Sequence, residues 1–209
     1  MIEKACSDDS HRKPRRAGRA IVVTSGKGGV GKTNISVNLA VSLSQLGRKV
    51  TVMDADLGMA NADVLCDLTL RNGLEDVVSG KKKLDEIAIT APGGFKLLPG
   101  AGGVPSIADL PEVDRNRLID ALARLEARND YLIVDTGAGI GASVMGFVVA
   151  VERVLLITAP EPTAITDAYA MLKTIRKRRP KTRARLVVNQ VESLAEGIAV
   201  HGRIDQASR

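Results

Sequence analysis

The sequence has no tryptophan, only four other aromatic residues and two cysteines in 209 positions. The aromatics are Phe95, Tyr131, Phe147 and Tyr169, too few for the stacking platforms with which proteins read single-stranded nucleic acid. Cys6 and Cys66 cannot make a disulfide framework, and nothing beside them has metal-ligand spacing. They read as a tail thiol and a small packing residue. Long apolar runs are missing too. The longest, Val144 to Val151 with Gly146 inside it, stops at Glu152, well short of the roughly 18 residues of a membrane span. Residues 1–19 hold no apolar block, which argues against a secretory signal. A cytoplasmic protein is expected.

What is present supports a folded domain. Hydrophobic residues make up 44% of the chain, enough to bury a core and incompatible with disorder throughout. The length suits one medium domain with short tails. The formal net charge is +6, and it is unevenly placed. One basic run comprises Arg12, Lys13, Arg15, Arg16 and Arg19. The other runs from Lys173 to Arg185 and contains no acid. Each is open to two readings: a solvated surface, or a contact for an acidic partner, DNA phosphates or anionic lipid.

Residues 1–19 are polar, contain Pro14 and Gly18 and show no period, which predicts a flexible basic extension. A regular alternation follows. Ala20 to Thr24 is a short β-branched run that ends in a glycine-rich turn. Ile35, Leu39, Leu43 and Leu46 then recur at helical spacing until Gly47. Strands are expected at Val50–Met53, Phe95–Leu98, Tyr131–Val134, Val154–Ile157 and Leu186–Val188. Helices are expected at Ala62–Leu65, Leu74–Val78, Arg115–Arg128 and Thr163–Arg179, with one more only beginning where the sequence stops at Arg209. This alternation predicts an α/β fold: a doubly wound, mostly parallel sheet with helices on both faces. In such sheets ligands sit at the carboxyl ends of the strands.

Directly after the first strand stand Gly26, Lys27, Gly28, Gly29, Val30, Gly31, Lys32 and Thr33. They satisfy G-x-x-x-x-G-K-[ST] between a strand and a helix, the pattern of a P-loop NTPase. Glycines let backbone amides turn inward as a cradle for polyphosphate, and the helix N-terminus adds positive potential. Lys32 would reach the β- and γ-phosphates, and the Thr33 hydroxyl would ligate Mg²⁺. The same letters also spell G-x-G-x-x-G, with Asp54 and Asp56 after the second strand as a dinucleotide fold would have them. The Lys32-Thr33 pair and the acid at Asp135, placed as a Walker B aspartate, favour a nucleoside triphosphate with Mg²⁺. Lys27 is a second loop lysine that one protomer's phosphates do not need. It fits either solvent or phosphate held by a neighbouring subunit.

Read as GKGGVGKT, residues Gly26 to Thr33 resemble the deviant Walker A motif of the MinD/ParA family of dimerising ATPases. The similarity continues through Asp54–Leu65 (DADLGMANADVL), Asp135–Ile140 (DTGAGI) and Thr158–Ala168 (TAPEPTAITDA). Those three segments are most similar to the flagellar-number regulators of the FlhG (FleN, YlxH) branch. The resemblance covers residue 20 to the end.

It implies ATP and Mg²⁺ as ligands and an ATP-dependent homodimer. Lys27 would contact nucleotide across the dimer interface. Asp56 would orient the attacking water, Asp54 would join the magnesium–water network, Asp135 would be the Walker B acid and Gly137–Gly141 would move as a switch. Asn189 would hydrogen-bond the adenine base. Implied partners are FlhF or other flagellar proteins. No DQAxxLR-type motif that would act on FlhF occurs in residues 1–19. The family's closing strand, helix and membrane-targeting helix are also not found, so residues 20–209 are expected to be an ATPase domain without that end, for which stable membrane anchoring is not supported. Alternatives are a ParA-like ATPase binding DNA through Lys173–Arg185, and a nucleotide-binding scaffold without turnover. A metabolic ATPase is a fourth reading, its iron–sulfur version disfavoured by the lack of a cysteine pair.

Overall fold

A computed structural model describes residues 19–56, 61–69, 72–100 and 111–208. The expected N-terminal extension, with Cys6 and all its cations but Arg19, lies outside the described residues. So do positions 57–60 of the Asp54–Leu65 segment.

The β-branched segments pair as strands β1 (Arg19–Ser25), β2 (Val50–Ala55), β3 (Ile89–Thr90), β4 (Lys96–Leu98), β5 (Tyr131–Ala138), β6 (Arg153–Thr158) and β7 (Arg183–Val188). They form one sheet in the order β3-β4-β2-β5-β1-β6-β7. Every neighbouring pair is parallel except β3 with β4. The helices are α1 (Lys32–Gln45), α2 (Ala62–Leu65), α3 (Leu74–Val78), α4 (Leu84–Ile87), α5 (Glu112–Arg128), α6 (Ala142–Ala150), α7 (Pro162–Arg178) and α8 (Leu194–Ser208).

Successive strand residues enter opposite cores. Val22 joins a cluster with Leu118 and Leu125 of α5, Met145 and Val148 of α6 and Met171 of α7. Val23 joins another with Val37 and Ala40 of α1 and Ala62 of α2. On β5, Leu132 and Val134 take the first side and Ile133 the second. A strand buried on both faces reads as an unbroken apolar run, as these do. The doubly wound sheet expected from the sequence is the fold.

Three local features were not legible in the sequence. The stripe Ile35, Leu39, Leu43, Leu46 is not the innermost face of α1. Ser36, Val37 and Ala40 are buried instead, while Leu46 is 74% exposed. Small residues let α1 lie close against the sheet, and the larger ones flank the contact. Gly47 does end the helix: at φ 73° it lets Arg48 N donate to Leu43 O and its own N donate to Ser44 O. Second, the apolar run 144–151, given no element from sequence, forms α6 with Val144, Met145, Phe147 and Val148 buried. Third, the terminal helix does not merely begin near Arg209. It occupies Leu194–Ser208 and contributes Val200 and Ile204 to the core. No described helix is long and apolar enough to cross a membrane.

Candidate functional site

Parallel pairing carries the carboxyl ends of β1, β2 and β5 to one edge, where the polar residues singled out in the sequence gather. β1 runs directly into the glycine loop, and the loop into α1. Gly29 and Gly31 have φ of 77° and 92°, in the left-handed region that only glycine adopts without strain. Gly26 is needed for another reason: a Cβ there would collide with the backbone of Asp167 in α7. Around Gly28 and Gly29 the space is open, with nothing within 4 Å of an added Cβ. One end of the loop is thus clamped, and its middle is a free cradle.

Lys32 opens α1 and is buried. Burial lowers its pKa, opposed by the charges of Asp135 and Asp56. Thr33 and Ser36 lie one turn apart, and both reach Asp135: Ser36 Oγ donates to Asp135 Oδ1 at 3.0 Å, and the Thr33 hydroxyl also hydrogen-bonds the carboxylate. Asp135 is 1% exposed. Burial pushes its carboxyl up to about 6, with the Asp54 charge adding to the rise; the Thr33 and Ser36 hydroxyls and the Lys32 ammonium hold it lower.

Asp54 pairs in register with Asp135 across β2 and β5. Its oxygens are engaged locally: Oδ1 accepts from Asp56 N at 3.0 Å, and Oδ2 from Asn61 N and Ala62 N, each at 3.1 Å. Burial raises its pKa against the pull of those three amides. Asp54 therefore ties Asp56 to Asn61 and Ala62 through its carboxylate. Asp56 sits beside Gly137 of β5, where an added Cβ would stand 3.3 Å from Asp56 Oδ1. Gly139 N donates to Ser25 O at 2.8 Å, which joins the 137–141 segment to the start of the glycine loop.

Two residues to which the resemblance gives nucleotide contacts have partners within the chain. Lys27 Nζ is bound within its own chain, to Glu161 and to Thr163 Oγ1, the latter at 2.9 Å, at the N-terminus of α7. Asn189 follows β7, and its Nδ2 donates to Val30 O at 2.9 Å. A side chain at Gly31 would collide with that carboxamide. Asn189 thus grips the loop from behind.

The sequence reading missed four contributors. Ser36 is signalled only by falling one helical turn after Thr33. Glu161 and Thr163 were quoted within TAPEPTAITDA without a role. Gln190, at φ 58°, donates through Nε2 to Gly29 O at 3.2 Å. The basic stretch is exposed at Lys173, Arg176, Lys177, Arg178, Lys181, Arg183 and Arg185. Arg179 instead donates to Val149 O.

These residues fit a metal-bound polyphosphate. The cradle is open and rimmed by backbone amides, and a helix N-terminus with a lysine stands behind it. A hydroxyl and a buried carboxylate of raised pKa meet beside that lysine, a hard-oxygen pair suited to Mg²⁺. No group of three or more His, Cys, Asp or Glu among the described residues could hold a metal. A phosphate-borne Mg²⁺ needs none, because it is held by one or two protein oxygens together with phosphate and water.

A family model described as an AAA domain matches residues 18–188. The antiactivator FleN of Pseudomonas aeruginosa is 47% identical over 179 residues, spanning 86% of this chain and 64% of the relative. The flagellum site-determining protein YlxH of Helicobacter pylori is 40% identical over 190 residues, spanning 90% of this chain and 64% of the relative. Among solved structures, the septum site-determining protein MinD of Pyrococcus horikoshii, complexed with Mg-ADP, has a TM-score of 0.72 at 26% identity, covering 88% of this chain and 76% of that one. The chain thus spans 64% of the length of each of these two curated relatives.

Proposed function

The chain belongs to the MinD/ParA family of P-loop ATPases, and on that premise we propose that it is an ATP-binding, slowly hydrolysing dimerisation switch that regulates flagellum number or placement. The observation that carries this reading is the meeting of Lys32, Thr33 and buried Asp135 at the open glycine loop. The ATPase unit is assigned to the chain from β1 onward, one residue earlier than the expected boundary because Arg19 pairs with Tyr131, with the residues before it as an extension.

In this reading the amides of Gly28 to Lys32 would orient the phosphates, and the Lys32 ammonium would neutralise the negative charge that develops on the leaving β-phosphate oxygen as its bond to the γ-phosphorus breaks and water takes its place. Thr33 and Asp135 would hold Mg²⁺, whose chemistry there would be further neutralisation of phosphate charge. Asp56, beside Gly137, positions the attacking water. Asp54 ties Asp56 to Asn61 and Ala62, and the acceptor capacity left on its Oδ1 would take a hydrogen bond from a magnesium-bound water. Asn189 fixes the loop, and its remaining polar groups meet the adenine base. Lys27 leaves Glu161 for nucleotide held by the second protomer, so that dimerisation and the loss of a contact within the chain are one event.

Relatives named for flagellum placement and antiactivation support the flagellar role, with FlhF or other flagellar proteins as partners. The protein then works in the cytoplasm, peripheral at the membrane through those partners. Phosphate release from ATP and Mg²⁺, absent in Lys32→Ala and in Asp56→Ala, is the expected result. Equal release by Lys32→Ala and the parent chain would refute it.

A second reading rests on the exposed cations between Lys173 and Arg185, which suit non-specific duplex binding by a ParA-like ATPase. ATP-dependent, salt-sensitive retention of random duplex would support it, and no binding at low salt would remove it.

A further inference from the structure

Away from the glycine loop, a cavity of about 470 Å³ opens between α3, the turn after it, α4 and α5. None of the glycine-loop or strand-end acid residues lines it. Its floor is apolar, made by Val77, Leu84, Ala121 and Leu125. Its rim carries Lys82, Lys83, Arg117, Arg124 and Arg128 against a single lining acid, Asp85. The three arginines are spaced so that one face of α5 presents all of them to the cavity.

Two of these cations are already oriented. Arg117 donates to Val78 O at 2.6 Å and to Asp114 Oδ1 at 3.1 Å, and Arg128 pairs with Asp85. A guanidinium has five N–H donors, so a fixed one keeps others to offer. Among the described residues Lys82, Lys83 and Arg124 have no ion pair. Like charges gathered at one concavity repel one another, and Asp85 and Asp114 offset only two of the five, leaving Lys82, Lys83 and Arg124. An anion would relieve that repulsion. The volume lies in the range of small-molecule pockets, roughly 300–1,000 Å³, and a concave site of that kind does not suit a duplex. Guanidinium forks match phosphate oxygens, while the floor has no use for a bare inorganic ion.

We propose that this pocket is a second ligand site, which takes a small organophosphate: its phosphate on the Lys83–Arg124 rim and its apolar ring or chain on the Val77–Leu125 floor.

The test is an NMR titration of the ¹⁵N-labelled full chain, without ATP, using phenyl phosphate and, separately, inorganic phosphate. Phenyl phosphate should give saturable shifts in the amides of 77–85 and 117–128, with affinity about tenfold above that of inorganic phosphate because the ring is also buried. Lys83→Glu with Arg124→Glu, both at exposed positions, should weaken binding more than about tenfold. If that charge-reversed chain loses spectral dispersion, Lys83→Gln with Arg124→Gln should still weaken binding. No saturable shift in these segments, shifts confined to the glycine loop, equal binding by a folded variant, or tighter binding of an acidic peptide or duplex DNA at the same residues would each overturn the proposal.

Discussion

Lys27 of the glycine loop is bound by Glu161 of its own chain, a partly solvated pair with side chains 36% and 58% exposed. An exposed ion pair stabilises by about 0–1 kcal/mol, so this one is cheap to exchange for a phosphate. With Asp56→Ala blocking turnover, Lys27→Ala should abolish the ATP-dependent dimer in sedimentation. Glu161→Gln should strengthen it by up to about fivefold, the equivalent of about 1 kcal/mol. A weaker dimer in Glu161→Gln would mean that Glu161 also serves the closed state.

The buried acids give the ligand-free chain a pH dependence of predictable sign. Asp135 rises from 3.8 to about 6 on folding. Across that window the folded chain keeps a proton that the unfolded chain has released. Stability therefore falls as pH rises from about 4 to about 6 and levels off above. Asp54, shifted in the same direction, steepens the slope. Asp135→Asn should remove the Asp135 share, stabilise the free protein at pH 7 by about 1–3 kcal/mol and abolish Mg²⁺-dependent phosphate release. Urea denaturation at a series of pH values checks this, and an unchanged slope in Asp135→Asn would contradict it.

Two glycines of the loop should respond in opposite ways. Gly26 faces the backbone of Asp167, so Gly26→Ala forces the loop and α7 apart, at a cost of about 1–3 kcal/mol in stability. Gly28 has open space, so Gly28→Ala should leave the melting temperature nearly unchanged and weaken ATP binding by filling the cradle. Thermal melts with and without nucleotide distinguish the two outcomes.

Asn189 holds Val30 O as well as standing where the resemblance puts a base contact. If loop-holding dominates, Asn189→Ala should weaken ATP and GTP alike, by about five- to tenfold, the equivalent of one lost hydrogen bond of about 1 kcal/mol. A loss confined to ATP would give the base contact the larger share.

The loop, its lysines and the acids at the strand ends were legible in the sequence because each sits at a strand–helix junction that composition marks sharply. Less legible was what tertiary packing decides. Ser36 looks like an ordinary helix serine until β5 delivers Asp135 to it. The pairing of Lys27 with Glu161 joins residues 134 positions apart in sequence. The inward face of α1 is not legible because its closest contact is made by small residues, which periodicity of large apolar residues ignores. α6 is apolar all round and has no period to read. The rim of the second cavity draws on a lysine run and on arginines of α5, and no single segment announced it.

The central claim is that the glycine loop, Lys32, Thr33 and Asp135 together bind a magnesium–adenine nucleotide. Calorimetric titration of the folded chain with ATP and Mg²⁺ tests it most directly. The account predicts a saturable heat with one site per chain, lost in Lys32→Ala. No heat from the folded parent chain, or the same heat from Lys32→Ala, would contradict it.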